Sequence, residues 1–309
     1  MRIPPAFLSL IRQGHDGIGR QVLPGPEELD ETALPEDPLH ENRQSPVPGL
    51  IHRYPDRVLF LVSNDCAVYC RYCLRKRMLG RPFGVNPRTR EEALDYIEKT
   101  PTVREVILSG GDPLMLDTET LGLLLERLHS FPHVEVLRIH TRMPGVLPNR
   151  ITDGLVARLK QYHPLYLNIQ FNHPDEITPQ STLACAKLAD AGIPLGSQTV
   201  LLKGVNDDPE VMMRLMQKLL SIRVTPYYLH HPDLVKGTSH FRTPVATGLS
   251  ILKHLQGRIS GMGIPRYVID LPGGGGKIAL LPESVVGEEN GMLKVVGLGG
   301  KVFYYPKEA

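Results

Sequence analysis

The chain has no tryptophan, and aromatic residues make up only 6% of its 309 positions. Its one basic stretch therefore has no run of aromatic rings beside it, and the stacking surface used by single-strand nucleic-acid binders is missing. No apolar run comes close to the ~18 residues that cross a bilayer, which argues against a membrane protein. The short apolar piece Ala6–Ile11 has no small-residue cleavage site after it and is not read as a signal peptide. Charge of one sign is scarce too. The 35 basic and 33 acidic residues leave a formal net charge of +2, too little for a chain whose task is to coat nucleic acid. Cysteine is sparse, at four residues, three of them within eight positions. Thiols so close together make poor disulfide partners, and a reducing cytoplasm is the expected setting. Hydrophobic residues are plentiful, at 41% against 22% charged, which excludes wholesale disorder and allows a sizeable core.

Residues 1–22 read as a short helix with a polar continuation, and 23–49 as an extended arm rich in proline and acidic side chains. From Val58 on, apolar runs of strand length alternate with segments of helical period. Strands are expected at Val58–Val62, Glu105–Leu108, Glu135–Ile139, Leu165–Phe171, Leu195–Leu202 and Thr225–Leu229. Helices are expected at Arg90–Lys99, Thr118–Ser130, Asp153–Tyr162, Pro179–Ala191, Pro209–Ile222 and Pro244–Leu255. Strands in series with helical crossovers imply an α/β fold with a parallel sheet, and near-continuous apolar strands imply a sheet buried on both faces. Six such units suit a partial (β/α)6 barrel with chemistry at the carboxyl ends of its strands. The expected divisions are 1–50 for the N-terminal helix and arm, 51–262 for the barrel, and 263–309 for a small β-rich extension. That extension has a glycine turn and β-like runs at Leu293–Val296 and Val302–Tyr305.

Cys66, Cys70 and Cys73 are spaced C-x3-C-x2-C, just after the first expected strand. Three thiolates can hold three irons of a four-iron cluster and leave the fourth open to a ligand. A structural zinc site is the plainer alternative, but it wants four closed ligands, usually in two pairs, and no second pair exists here. Cys185 stands alone among small and apolar residues and reads as a buried free thiol. Lys277 ends the run Asp270-Leu-Pro-Gly-Gly-Gly-Gly-Lys. It is not a P-loop, because Leu271 and Ile278 stand where that motif needs Gly and Ser or Thr. Two readings stay open for it: a lysine able to form a Schiff base with an aldehyde cofactor, or a flexible turn with a solvated lysine. Residues 71–90 hold seven basic side chains (Arg71, Arg75, Lys76, Arg77, Arg81, Arg88 and Arg90) and no acidic ones. This is read as a local positive field around anionic ligands rather than a nucleic-acid site.

The cysteine spacing, together with Ser109-Gly110-Gly111-Asp112 after the second expected strand, resembles the radical S-adenosylmethionine enzymes. Further motifs are SPVPGLIHRYPDRVLFL (45–61), ILSGGDPL (107–114), FNHPDEIT (171–178), LLKGVND (201–207), HFRTPV (240–245) and DLPGGGGK (270–277). With them, the chain resembles the lysine 2,3-aminomutase family over most of its length. The resemblance implies a [4Fe-4S] cluster on Cys66, Cys70 and Cys73, and S-adenosylmethionine near Gly110, Gly111, Asp112 and Gln198. It implies pyridoxal 5'-phosphate on Lys277 as the catalytic lysine, with Arg53, Tyr54 and Arg57 around that cofactor. Asp233 and Asp270 would hold the substrate's side-chain ammonium, and Arg75 its carboxylate. Two positions depart from the family pattern: Tyr72 and Gln170 stand where histidine is usual. The zinc-binding cysteines that longer relatives carry toward the C-terminus are absent from this sequence, so no zinc is expected.

The implied activity is the isomerisation of lysine to β-lysine. Alternatives are the same reaction serving modification of elongation factor P, an aminomutase of another amino acid, or a non-catalytic iron–sulfur carrier. Implied partners are a small amino acid, a one-electron reductant such as flavodoxin or ferredoxin, and a second copy in a homodimer; neither nucleic acid nor membrane is expected.

Overall fold

The computed structural model describes residues 2–12, 16–29, 34–80, 84–297 and 300–307. Arg81, and parts of the expected N-terminal helix and arm (13–15 and 30–33), lie outside the described residues.

A hairpin opens the main sheet: β1 (Leu50–Tyr54) runs antiparallel to β2 (Arg57–Ser63). Six parallel neighbours follow in sequence order: β3 (Glu105–Gly110), β4 (Val136–Thr141), β5 (Leu165–Ile169), β6 (Leu195–Val200), β7 (Thr225–His230) and β8 (Arg266–Leu271). An antiparallel β9 (Gly276–Leu280) closes the nine-stranded sheet. Spatial order equals chain order, so each crossover steps to the next strand and the sheet curls into a partial barrel. The crossovers contain α1 (Pro87–Glu98), α2 (Thr118–His129), α3 (Asp153–Leu159), α4 (Pro179–Asp190), α5 (Pro209–Ser221) and α6 (Val245–Leu255). Their starts are chemically marked. Asn86, Asp117, Thr152, Thr178 and Asp208 each accept a backbone N–H of the first turn, and Pro87, Pro179 and Pro209 occupy first helical positions where no N–H is needed.

The strands differ from the expected continuous apolar runs because their two faces diverge. On β3 and β4, Val106, Leu108, Leu137 and Ile139 are buried, in a core cluster that also holds Leu125 and Leu155 of the helices. The alternate residues Ile107, Ser109, Arg138 and His140 face an interior cavity. The inner face is therefore a mixed polar and apolar cavity lining and not a second packed core.

The sheet also extends beyond the division expected at 262. β8 continues the parallel order, and the glycine run turns it back into β9. Only β10 (Val285–Glu289), β11 (Met292–Val296) and β12 (Val302–Pro306) form the separate antiparallel sheet. In place of one N-terminal helix there are two short turns, Pro5–Leu8 and Gly19–Val22. The arm crosses the barrel mouth: the Lys236 N–H donates to Pro35 O and the Gly273 N–H to Pro38 O, each at 3.0 Å. Cys185, on α4, is buried and free, and burial pushes its thiol up to about 12.

Candidate active site

A cavity of about 590 Å³ runs from the carboxyl ends of the strands down the barrel interior. The residues that the resemblance assigns to ligands border it: the three cysteines, Gly110, Gly111, Asp112 and Gln198 toward one end, Arg53, Tyr54, Arg57 and Lys277 toward the other, with Arg75, Asp233 and Asp270.

At the cysteine end, the two glycines of β3's exit permit a very close backbone contact. Gly110 has φ of 123°, and a Cβ there would lie 2.3 Å from Ser63 O; one on Gly111 would lie 2.2 Å from Asp65 O. The Gly111 N–H donates to Ser63 O at 2.6 Å and the Asp112 N–H to Asp65 O at 2.7 Å, so this turn supports the segment that enters the cysteine loop. Asp112 is itself occupied: its carboxylate accepts from Thr141 Oγ1 and from the Arg142 and Leu114 N–H groups at 2.8–3.0 Å. Tyr72 and Gln170, the two departures, meet each other. Gln170 Nε2 donates to the Tyr72 hydroxyl at 3.2 Å, and Asn172 Nδ2 donates to the same oxygen at 2.5 Å.

The thiols fit a cluster on their chemistry. Burial raises Cys66, and pushes Cys73 up to about 11. Such thiols become thiolates only when a cation replaces the proton, as iron does. Cys70 Sγ accepts an N–H from Arg142 at 2.9 Å, the kind of hydrogen bond that stabilises a cluster thiolate. Among the described residues no three His, Cys, Asp or Glu side chains converge on one point as a single ion requires. A cubane asks for something else, one thiolate at each of three separate corners.

At the other end, Lys277 and Asp270 are directly opposed across β8 and β9, with Nζ 2.7 Å from Oδ2. Arg53 adds a second cation at 3.4 Å from Oδ1 of the same carboxylate. The Lys277 N–H donates to the Tyr54 hydroxyl at 3.0 Å, and the Arg57 guanidinium lies 4.1 Å from the Tyr54 ring centre. A primary amine at a cavity wall with two guanidiniums beside it fits an aldehyde that carries a phosphate. The glycine run serves packing as well as turning. Gly273 and Gly274 have φ of 70° and 89°, and a Cβ on Gly274 would lie 2.2 Å from the Gln44 amide.

Between the two ends, Asp233 is pushed up to about 7 by burial and then by the charge of Asp270, while Lys277 and Arg75 pull the other way. Two carboxylates facing one volume need a cation between them for both to be ionised. Lys277 and Arg53 supply it to Asp270 here, which leaves Asp233 as the carboxylate without a cation at ion-pair distance among the described residues.

Four residues escaped the sequence reading. His140 and His230 follow from strand alternation, near the ends of β4 and β7. Burial, then Arg138 and Lys277 respectively, hold His140 well below the usual range and His230 down at about 3, so both are neutral. Glu41 and Arg142 left no local signal, because their partners are far along the chain. Glu41 comes from the arm and grips the edge of Arg75, with Oε1 2.6 Å from NH2 and 3.1 Å from Nε. The arm also supplies Glu28 to Arg71 and Asp37 to Arg77, so three of the seven side chains of the expected positive field are paired with arm carboxylates.

The curled parallel sheet, with three thiols after its first parallel strand, defines a class. Residues 60–216 match the Radical SAM superfamily, and the chain is a radical S-adenosylmethionine enzyme. Its fold is similar to that of Streptococcus suis SuiB bound to S-adenosylmethionine, with a TM-score of 0.53 at 12% identity over 70% of this chain and 51% of that one. Residues 252–306 match Lysine-2,3-aminomutase. The chain is 49% identical to the L-lysine 2,3-aminomutase of Clostridium subterminale, over 99% of its own length and 74% of the relative's. It is 43% identical to the glutamate 2,3-aminomutase of Clostridioides difficile, over 97% of its own length and 72% of the relative's. The chain belongs to the lysine 2,3-aminomutase family; it is an isomerase whose cofactors are a [4Fe-4S] cluster, S-adenosylmethionine and pyridoxal phosphate. No helix among the described residues is long and apolar enough to cross a membrane.

Proposed function

We propose that the chain moves the α-amino group of lysine to the β carbon, giving β-lysine. The observation that carries this reading is the carboxylate pair Asp233 and Asp270 in the cavity that also holds Lys277 and the three thiols. Such a pair attracts a side-chain ammonium and repels a side-chain carboxylate, so it favours lysine over glutamate.

When bound, the cofactors supply a carbon radical that removes hydrogen, a carbonyl for the amino group, and a π system that spreads the unpaired electron. The chain's own residues bind and orient. Cys66, Cys70 and Cys73 hold the cluster, with S-adenosylmethionine beside Gly110, Gly111, Asp112 and Gln198. Lys277 anchors pyridoxal phosphate, with Arg53, Tyr54 and Arg57 around it. Asp233 and Asp270 fix the substrate's far end. Arg75, held edge-on by Glu41, keeps its remaining N–H groups for the α-carboxylate. Neutral His140 and His230 add hydrogen-bonding groups without adding positive charge that would repel the ammonium.

A one-electron reductant of the flavodoxin or ferredoxin kind, a cytoplasmic setting and a homodimer complete the proposal. The homodimer has support in apolar side chains exposed on the C-terminal sheet, Val286, Phe303 and Tyr305 among them. The test is an anaerobic assay of the reconstituted protein with S-adenosylmethionine, pyridoxal phosphate, a reductant and single amino acids. β-Lysine from lysine is expected. Turnover of glutamate without lysine overturns the reading.

A further inference from the structure

We infer that Arg142 sets the reduction potential of the iron–sulfur cluster, favouring the reduced state by its charge and by an N–H···S hydrogen bond to Cys70. The inference rests on the assignment of the three thiols to that cluster.

Arg142 follows β4 directly, and its side chain is only 5% exposed. One amino group, NH1, points at Cys70 Sγ at 2.9 Å. The other, NH2, donates to Gln21 Oε1 at 2.6 Å and to Glu176 Oε2 at 3.1 Å. The rings of Phe7 and Tyr72 lie 5.3 and 5.8 Å from the guanidinium carbon. Nε is buried with no acceptor among the described residues. The guanidinium is thus locked by two aromatic rings and two polar partners, and one fork is aimed at a thiol.

Its charge is met by one buried carboxylate. Glu176 is the carboxylate paired to Arg142, and it also serves the Asn172 and His173 N–H groups and Gln21 Nε2. A guanidinium stays charged at any working pH, and NH1, the amino group that Glu176 does not hold, is aimed at a ligand sulfur. A cluster on the three thiols would therefore sit against a fixed positive charge. When the cluster takes one electron from its reductant its charge falls by one, no bond breaks and no proton moves. A fixed cation within hydrogen-bond reach of a ligand sulfur favours that added charge, and hydrogen bonds to cluster sulfurs are an established lever on potential. A merely structural Arg142 would tie Gln21 and Glu176 to the end of β4 without affecting the electron.

The test is a potentiometric titration of the anaerobically reconstituted full chain, with dithionite as reductant and the reduced cluster read by electron paramagnetic resonance. Arg142→Gln is expected to lower the ratio of reduced to oxidised cluster at least tenfold at the wild-type midpoint, ~59 mV for one electron, at equal iron content. Arg142→Lys keeps the charge without the fork and should move it less. Glu176→Gln removes an opposing charge and should raise the ratio. Arg142→Gln with full iron and a ratio within twofold of wild type overturns the inference. So does an unmoved ratio in Glu176→Gln, which decides the matter where Arg142→Gln takes up no iron. A wild-type chain that binds no four-iron cluster overturns the cysteine assignment, and this inference with it.

Discussion

The two ends of the cavity are built on opposite plans. The cysteine end sits among buried groups that satisfy one another over long sequence distances: Gln21, Asp112, Arg142, Asn172 and Glu176 are all at most 5% exposed. The lysine end sits on an edge hairpin. The Lys277 side chain is 31% exposed and pairs with Asp270, and its backbone N–H donates to the Tyr54 hydroxyl. The difference matches the tasks. A cluster must be shielded and electrostatically tuned, so its surroundings are rigid. A lysine that forms and releases a Schiff base must move, and an edge strand beside a glycine turn allows that.

If the plans are separate, the two ends fail separately. Cys70→Ala is expected to abolish activity and the cluster's absorbance while leaving a borohydride-trappable pyridoxal phosphate signal. Lys277→Ala should do the converse, keeping the cluster while turnover falls by about a thousandfold or more. Visible spectra and iron content of the two proteins check this. Loss of both signals in either variant would mean that the ends fold as one unit.

Asp233 lies between the ends, and its effect should be smaller. Asp233→Asn removes one of two charges facing the substrate's ammonium. Truncating one partner of a buried charge pair costs about 2–5 kcal/mol, so kcat/KM for lysine should fall by about thirtyfold or more. The pH profile sharpens the point. Asp233 is raised to about 7 in the free chain, under the influence of Asp270, Lys277, Arg75 and Glu41. Below that value it is protonated and offers the ammonium no charge; above it the charge is present. kcat/KM for lysine should therefore rise with pH through about 7, and Asp233→Asn should lose this limb. A bound ammonium favours the carboxylate, so the corresponding limb of kcat should lie at lower pH.

Glu41 comes next. Glu41→Ala frees the edge of Arg75, and KM for lysine should rise about tenfold with kcat nearly kept, since a lost hydrogen bond to a charged group is worth about 1.5–3 kcal/mol. Glu41→Gln should recover part of it. An unchanged KM would show that the arm merely covers the mouth.

The sequence made the two plans unequally legible. Hydrophobic period and cap residues such as Asp117 and Pro209 reveal the βα rhythm, because both act within a few residues. The motif residues could be assigned to ligands by resemblance, and they do border one cavity. The hairpin at Arg266–Leu280 is not legible as part of the barrel, because its glycine turn suits a separate β-rich extension equally well, although it turns the last strand back onto the barrel. Glu41 and Arg142 were hidden for another reason. A charged residue in a loop looks solvated until the partner that buries it is known, and Arg75 is 34 positions from Glu41 and Cys70 is 72 from Arg142. Burial on both faces is legible in the near-continuous apolar strands, but the cavity inside is not, because an apolar residue at every second position looks continuous when Tyr, Gly and Thr fill the gaps.

The smallest expected effect compares the glycines that serve each end. Gly111→Ala places a methyl 2.2 Å from a backbone oxygen, Asp65 O, which cannot swing away. Gly274→Ala meets only the end of the Gln44 side chain at the same 2.2 Å, which can rotate, although φ of 89° adds strain. Overpacking against fixed atoms costs about 1–3 kcal/mol, and a left-handed φ at a non-glycine residue about 1 kcal/mol. Gly111→Ala should therefore lower Tm by several degrees and Gly274→Ala by fewer, at ~2–4 °C per kcal/mol for a chain of this order. Iron content should drop only in the first, because the segment it displaces leads straight to Cys66. Equal Tm losses, or loss of iron in Gly274→Ala, would erase the distinction between a rigid end and a yielding one.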